Sequence, residues 1–289
     1  MALTVKALQG DIAAEVGGVD IAAGITPEIA NEIETVLSKY IVIVLRNQQI
    51  NDEQQQAFIQ HFGPPVKTNA IKELEEATHR QPHLLDIATV DAQGKPLADK
   101  SFIKLYMLAN QFWHTDGSQS QPPQRLTALS ARRLPTVPPN TEYADMRAAW
   151  DALPALMQEK VEDLKAQHSI AYSRAKMGLS QDTFSAESLK NRPPVEHALV
   201  RKHPRSGRKS LYLSGHASHI VGWPEEEGRA LLDELMAHAV QRQFVYAHQW
   251  QPNDLVMWDD SCSMHRALPY DAPEPRVLRW SGVRELQPV

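Results

Sequence analysis

The chain has 289 residues, a formal net charge of −5 at pH 7 and a pI near 6.2, with 42% hydrophobic and 22% charged residues. This balance predicts a globular protein with a sizeable core. It gives no basic footprint for nucleic acid and no apolar run long enough for a membrane helix. One cysteine and no evident signal peptide predict a cytoplasmic protein without a disulfide. No repeat or linker interrupts the chain, which predicts one domain over residues 1–289.

Helix start signals occur near the N-terminus and again in the second half of the chain. Thr26 followed by Pro27 has the pattern of an N-cap and a first helical residue, and Asn51 opens a second helix. A later helix follows Pro224 and three glutamates, which suit the positive end of a helix. The predicted helices cover residues 28–40, about 52–62, about 144–164 and about 224–239.

Short β-rich segments carry most of the remaining apolar residues. A continuous β-branched run at residues 41–45 predicts a buried strand. The polar stretch at residues 69–104 is expected to be a long loop. Helices first and strands later predict an α+β protein on a β-sandwich or jelly-roll core. Further strands are predicted at residues 210–213, 244–246, 254–258 and 276–283.

The triplet His114-Thr115-Asp116 places an imidazole and a carboxylate two residues apart. In an extended segment the two side chains point to the same face and can reach one ion. A second imidazole would complete the two-histidine, one-carboxylate set of non-haem iron(II) oxygenases, which leaves other positions on the metal open. Taken alone, a polar pair on a surface strand explains the triplet equally well.

A second segment, near the C-terminus, offers the missing imidazole. An apolar strand ending at Trp258 is followed by a turn and then by His265, and Arg276 begins another strand eleven residues later. So short a connection predicts antiparallel neighbours, which would return Arg276 to the vicinity of His265. A guanidinium there is suited to bind a carboxylate through two parallel hydrogen bonds.

These three pieces together resemble the taurine/2,4-dichlorophenoxyacetate dioxygenase family. The resemblance covers about residues 16–284 and is closest to the phenoxyacetate-degrading branch. It rests on Trp113 to Asp116, Trp258 to His265 and Arg276, and also on residues 144–154, 206–209, 215–219 and 255–259.

The resemblance implies a double-stranded β-helix, which is a jelly-roll variant, and an Fe(II) site made by the catalytic residues His114, Asp116 and His265. It also implies that Arg276 and Thr141 bind 2-oxoglutarate. With O2, such an enzyme oxidises a C–H bond of a small organic acid, for which the branch suggests an aryloxyalkanoate-like compound, and releases succinate and CO2.

Two other functions stay open at this point. One keeps the cofactors but ends in desaturation or ring closure of an amino acid or natural product. The other is a non-catalytic jelly-roll binding protein with a decayed site. The expected partner is a small-molecule substrate, with no nucleic acid and no membrane, and homo-oligomerisation is left open.

The chain departs from the family pattern in two places. The Gly-Gly-x-Thr turn reads Pro138-Pro139-Asn140-Thr141, and Trp280 occupies the position of a second, substrate-binding arginine. An acid anchored in the usual manner is therefore in doubt.

Each candidate substrate-binding residue either matches a position in the family motifs or lies at or next to Trp280, where the chain departs from the family pattern. Asn110 has an equal alternative as a loop cap, Lys95 fits a solvated loop lysine better, and His216 fits a structural role at least as well. Arg279 is included although strand alternation puts it on the opposite face from Trp280. The candidates are Asn110, Lys95, His216, Arg279 and Trp280.

Overall fold

The computed structural model describes residues 3–68, 80–98, 104, 107–176, 192–270 and 273–286, and these contain both strands and helices. The strands are β1 (Thr4–Gln9), β2 (Ala13–Gly17), β3 (Val42–Leu45), β4 (Arg80–Gln81), β5 (Leu84–Ala88), β6 (Gln124–Arg133), β7 (Thr141–Asp145), β8 (Lys165–His168), β9 (Val195–Ala198), β10 (Val200–Lys202), β11 (Lys209–Leu211), β12 (Ala217–Ile220), β13 (Val245–His248), β14 (Leu255–Asp259), β15 (Ser263–Ala267) and β16 (Val277–Arg284). The α-helices are α1 (Pro27–Lys39), α2 (Asp52–Gln60), α3 (Met146–Asp151), α4 (Ala155–Val161), α5 (Ile170–Ala175) and α6 (Glu225–Ala239), with 3-10 turns at Ala109–Gln111 and Arg242–Phe244.

An eight-stranded sheet, in the order β1-β2-β3-β14-β6-β16-β5-β4, is the largest element of the fold. Its pairings are antiparallel except for β2 with β3. Along β3, Val42 and Val44 pack into one hydrophobic cluster while Ile43 and Leu45 pack into another. Both faces of this sheet are therefore buried, as the continuous apolar run predicts.

A three-stranded sheet, β13-β7-β15, lies against one face of the large sheet. Tyr143 of β7 and Tyr246 of β13 share a core with Val256, Trp258 and Leu278 of the large sheet. The opposite face of the large sheet is covered by α1 and α2. The functional residues described below lie at the edge where the two sheets meet.

The remaining strands form two small sheets, β12-β8-β9 and β10-β11. With α3 and α6 they enclose a third apolar cluster, which includes Trp150, Leu211 and Leu235. None of the helices in the described part of the chain is both long and apolar enough to span a bilayer.

Local signals in the sequence predict three of the four helices correctly. Thr26 and Asn51 accept backbone N–H groups at the starts of α1 and α2, and α6 follows Pro224. The helix predicted over residues 144–164 is wrong at its start and is interrupted. Its first residues belong to β7, Asp145 caps α3, and Pro154 separates α3 from α4.

The prediction of a loop over residues 69–104 is wrong where β5 lies. Leu84, Asp86 and Ala88 are buried in alternation because β5 pairs with β16. Residues 69–79 and 99–103 of that stretch lie outside the described residues. The mixed α+β class is confirmed by the helices and sheets above.

Candidate metal and co-substrate site

Two segments that are distant in sequence meet through a single backbone bridge. The N–H of His114 donates to the carbonyl of His265 at 3.0 Å, and the reverse hydrogen bond is 2.8 Å long. His114 therefore lies in a short extended segment rather than in a longer strand. Asp116 follows at a turn where Gly117 adopts a φ of +66°, a conformation in which a Cβ would strike Gln124.

The bridge brings the donor atoms of three side chains together. Nε2 of His114 is 3.5 Å, and Nε2 of His265 is 3.9 Å, from Oδ1 of Asp116. Ligand atoms of the three residues all lie within 4.8 Å of one another. We call this group the open triad. His114 and His265 are 151 positions apart in the sequence, and the fold brings them into one cluster with Asp116.

The second carboxylate oxygen of Asp116 is held away from the histidines. Oδ2 accepts a hydrogen bond from the indole N–H of Trp280 at 2.9 Å and lies 3.1 Å from the hydroxyl of Thr127. The backbone N–H of Asp116 donates to the buried Asp260 at 3.2 Å. Oδ1 is therefore the oxygen that faces both imidazoles.

The protonation states of the triad suit metal binding. Nδ1 of His114 lies 2.8 Å from the carbonyl of Phe112, so this nitrogen carries the proton and Nε2 presents a lone pair. Burial, and to a lesser degree the charge of His114, lowers the pKa of His265 to about 3. Burial opposes ionisation of Asp116, but the two imidazoles and the Trp280 hydrogen bond lower its pKa below the usual value. At neutral pH the neutral imidazole of His265 therefore faces the ionised carboxylate of Asp116.

A buried guanidinium marks a second subsite. Arg276 is 6% exposed, and its Nε and Nη2 atoms have no hydrogen-bond partner among the described residues. Its Cζ atom lies 6.0 Å from the ring of Trp250, and Trp250 donates to the hydroxyl of Thr141 at 3.0 Å. Burial lowers the pKa of Arg276 to about 10, so the guanidinium stays charged at neutral pH.

The route by which Arg276 reaches this place differs from the prediction. Strands β15 and β16 are not neighbours: β15 pairs with β7 in the small sheet, and β16 pairs with β6 and β5 in the large sheet. The connection between them crosses from one sheet to the other. Because the two sheets face each other, Arg276 still lies near Thr141 of β7.

The donor set fits the groups that the sequence implies. Two imidazoles and one carboxylate, with only one carboxylate oxygen presented, match the facial set that holds non-haem Fe(II). An unpartnered buried guanidinium fits the carboxylate of 2-oxoglutarate, because leaving such a group unpaired would be costly.

Two candidate substrate residues lie next to the open triad. The N–H of Gly215 donates to the carbonyl of Trp113 at 2.9 Å, which brings His216 beside the His114 segment. His216 is buried, and its Nδ1 lies 2.8 Å from the hydroxyl of Ser173. Asn110 lies in the 3-10 turn that packs on β15.

Two other candidates do not join the site. The Arg279 side chain points to the opposite face of β16 and binds Asp86 at 2.6 Å and Asp52 at 2.5 Å, so its assignment to the substrate is wrong. Lys95 is exposed in a turn whose backbone bonds to Asp91, and no contact with the triad is seen within the described ranges. The role of Lys95 stays a prediction.

Several residues at the site were not found from the sequence. Thr127 and Asp260 support Asp116, Trp250 supports Thr141, and Tyr143 packs its ring 6.0 Å from that of His265. Of these, only Tyr143 stands close in sequence to a predicted site residue, two positions after Thr141, but no strand was predicted there. The other contacts join strands that are distant in sequence.

Comparison with known proteins agrees with this geometry. The family described as "Taurine catabolism dioxygenase TauD, TfdA family" matches residues 4–281. The α-ketoglutarate-dependent 2,4-dichlorophenoxyacetate dioxygenase of Cupriavidus pinatubonensis is 40% identical over 281 residues, covering 96% of each chain. The (S)-phenoxypropionate/α-ketoglutarate dioxygenase of Sphingobium herbicidovorans is 32% identical over 256 residues, covering 87% of this chain and 85% of its own.

A solved structure has the same fold over its whole length. The crystal structure of AAD-2 in complex with Mn(II) and N-oxalylglycine superposes with a TM-score of 0.94 at 40% identity, and covers 100% of this chain and 99% of its own. The family, the enzyme class and 2-oxoglutarate as co-substrate are thereby confirmed as the sequence predicts. The chain belongs to the taurine catabolism dioxygenase TauD, TfdA family.

Proposed function

We propose that the chain holds Fe(II) through His114, Asp116 and His265 and oxidises a C–H bond of a small aryloxyalkanoate-like acid. With O2, iron and 2-oxoglutarate would supply an oxidant strong enough for such a bond: one oxygen atom of O2 would enter succinate, which forms together with CO2, and the other would enter the substrate. The observation that carries this proposal is the open triad beside the unpartnered guanidinium of Arg276.

The protein's own residues divide the work of binding. Asp116 presents one oxygen to the ion because Trp280 and Thr127 hold the other. Arg276 and Thr141 take the distal carboxylate of 2-oxoglutarate. Burial of the guanidinium strengthens that attraction, since little water competes with the ligand.

The substrate's acid group needs a cation other than the family's second arginine. Trp280 occupies that position and is bonded to Asp116. Arg174 of α5 is buried, and its neighbour Ser173 lies 2.8 Å from His216. The charge of Arg174 contributes, after burial, to lowering the pKa of His216. We propose that Arg174 supplies positive charge on the substrate side of the triad.

The fold and the domain assignment support the same function. We propose that the eight-stranded sheet and the β13-β7-β15 sheet form a double-stranded β-helix, with the triad at one mouth. Residues 1–289 would act as one catalytic domain, which is supported by the extent of the family match.

A substrate screen tests the proposal directly. Purified protein would be supplied with Fe(II), 2-oxoglutarate and, in turn, phenoxyacetate, the two phenoxypropionate enantiomers and taurine, and succinate would be measured. Substrate-dependent succinate is expected with an aryloxy acid, and is expected to vanish in His114→Ala but not in the exposed-histidine control His61→Ala. Equal succinate from His114→Ala and wild type would overturn the proposal.

The mass of the product distinguishes hydroxylation from the alternative outcome. Insertion of oxygen into an aryloxy acid at the ether carbon would release a phenol. Desaturation or ring closure would instead remove two hydrogens from the substrate, and a product of that mass would replace the first proposal with the second.

A further inference from the structure

Tyr143 of β7 has a buried hydroxyl without a protein partner. The residue is 0% exposed, and its hydroxyl finds no hydrogen-bond partner among the described residues. Its ring lies 5.2 Å from that of Trp258 and 6.0 Å from that of His265, its register partner on β15. Leaving a buried hydroxyl unpaired is costly, so its position indicates a polar group that the described part of the chain does not supply.

The hydroxyl belongs to the same side of the fold as the co-substrate residues. Thr141 precedes Tyr143 by two residues on β7, so both side chains leave the same face of the strand. Trp250 lies between Thr141 and Arg276. Its indole N–H donates to the Thr141 hydroxyl at 3.0 Å, and its ring lies 6.0 Å from Cζ of Arg276. The unpartnered groups of Tyr143 and Arg276 therefore border one buried region.

Charge and protonation favour a donor role for this phenol. A phenol titrates at about pH 10 in water. At neutral pH the hydroxyl keeps its proton and can donate it to an anion. A carboxylate has about four acceptor sites, and a bidentate guanidinium uses two of them.

We propose that the Tyr143 hydroxyl donates a hydrogen bond to the distal carboxylate of 2-oxoglutarate, beside Arg276 and Thr141. Tyr143 is then a co-substrate-binding residue. The inference rests on the proposed binding of that carboxylate by Arg276 and Thr141. It adds a neutral donor, which completes the coordination of a carboxylate without adding a second charge to the buried region.

Binding of N-oxalylglycine to the Mn(II)-loaded protein, followed by calorimetry, tests this role without turnover. Tyr143→Phe keeps the ring and removes only the hydroxyl. It is expected to weaken N-oxalylglycine binding about tenfold, the effect of one hydrogen bond to a charged group, and to leave Mn(II) affinity unchanged. The matched control is Tyr212→Phe. Tyr212 is also buried, and its hydroxyl has no hydrogen-bond partner in the part of the chain that the structure describes, but its ring lies 4.4 Å from Cζ of Arg201 rather than beside Arg276. The Tyr212→Phe variant should bind N-oxalylglycine as wild type does.

A second ligand, pyruvate, tests whether the effect of Tyr143→Phe depends on the distal carboxylate. Pyruvate has the 2-oxo acid group but no distal carboxylate, so Tyr143→Phe should bind it as tightly as wild type does. Equal N-oxalylglycine affinity in both proteins, or equal weakening of both ligands, would overturn the inference. If the wild-type protein shows no metal-dependent N-oxalylglycine binding, the proposed function fails instead. Far-UV circular dichroism of each variant confirms that it is folded.

Discussion

Two groups of three metal-ligating side chains lie in the described part of the chain, and they differ in what their donor atoms already bind. The open triad is His114, Asp116 and His265. The second group, which we call the closed triad, is His203, Asp259 and Cys262, and its ligand atoms also lie within 4.8 Å of one another. Distance alone does not separate the two.

In the closed triad the protein itself satisfies the donors. Nε2 of His203 is 2.9 Å from Oδ2 of Asp259, and Nδ1 accepts the backbone N–H of Ser206 at 3.0 Å. The other Asp259 oxygen accepts the N–H of Ser261 at 2.9 Å. Burial, followed by the charge of Asp259, raises the pKa of the Cys262 thiol well above its usual value, which disfavours the thiolate that binds metals.

In the open triad the two Nε2 atoms face Oδ1 of Asp116, and no other polar partner is seen for them within the described residues. The supporting hydrogen bonds are made by the atoms that would not ligate the metal, Nδ1 of His114 and Oδ2 of Asp116. The difference shows that a metal site needs donors that are close and also free, with the remaining atoms held in place.

The largest expected effect comes from removing a ligand of the open triad. His265→Ala should weaken Mn(II) binding by at least about a hundredfold, because even outer-shell changes cost 10- to 100-fold, and should abolish succinate formation. His203→Ala should still bind one Mn(II) per chain. Calorimetric titration with Mn(II) measures both variants, and loss of the metal in His203→Ala alone would reverse the roles of the two triads.

The closed triad should instead contribute to the stability of the folded protein. Both members of the His203–Asp259 pair are buried, with 5% and 4% of their side chains exposed. His203→Ala leaves an uncompensated buried carboxylate and should lower the free energy of unfolding by about 3–5 kcal/mol. Urea unfolding of the metal-free protein measures this loss. The exposed His61→Ala should change stability by less than about 0.5 kcal/mol, and a similar value for His203→Ala would contradict the prediction.

The sequence predicts those features of the fold and of the open triad that involve residues close together in the chain. His114 and Asp116 are two residues apart, and the caps at Thr26 and Asn51 are recognised within one helical turn. The pairing of His265 with His114 is not a local property, and its prediction came from the resemblance to a family.

The parts that could not be predicted depend on which sheet each strand enters. Trp280 reaches Asp116 because β16 lies in the large sheet, whereas a pairing of β15 with β16 was expected. The same crossing places Arg279 against Asp86 on the far face. No local pattern records the choice of sheet, because β16 pairs with β5 and β6, which are distant from it in sequence.

His168 is a buried histidine outside both triads, and its burial affects the stability of the protein in acid. His168 is 0% exposed, and neither of its ring nitrogens has a hydrogen-bond partner among the described residues. Burial, followed by the positive charges of His197 and Arg201, lowers its pKa to about 3. Its folded-state pKa lies below the unfolded value, so its contribution is fully present above about pH 6.5 and is lost as the pH falls toward 3.

Wild-type protein should therefore lose about 2 kcal/mol more unfolding free energy between pH 8 and pH 5 than His168→Phe, which cannot take up the proton. Urea unfolding of the metal-free proteins at the two pH values measures the difference. Parallel pH profiles of the two proteins would show that His168 is protonated as easily in the folded state as in the unfolded one.

The smallest expected effect tests whether the orientation of Asp116 matters. Trp280→Phe keeps a ring on β16 but removes the N–H that lies 2.9 Å from Oδ2. Mn(II) affinity should fall about tenfold, at the lower end of outer-shell effects, because the Thr127 hydroxyl still lies 3.1 Å from the same oxygen. Trp223→Phe, on the far side of the third apolar cluster, is the matched control and should bind Mn(II) as wild type does.

Removing both supports of Asp116 should then cost more than either single change. In the double variant Trp280→Phe with Thr127→Val, Oδ2 has neither donor, and Asp116 is free to turn that oxygen toward the metal or the histidines. A metal affinity in the double variant equal to that of Trp280→Phe would mean that Thr127 contributes nothing. Wild-type affinity in Trp280→Phe, in Thr127→Val and in the double variant would mean that neither hydrogen bond to Oδ2 fixes Asp116.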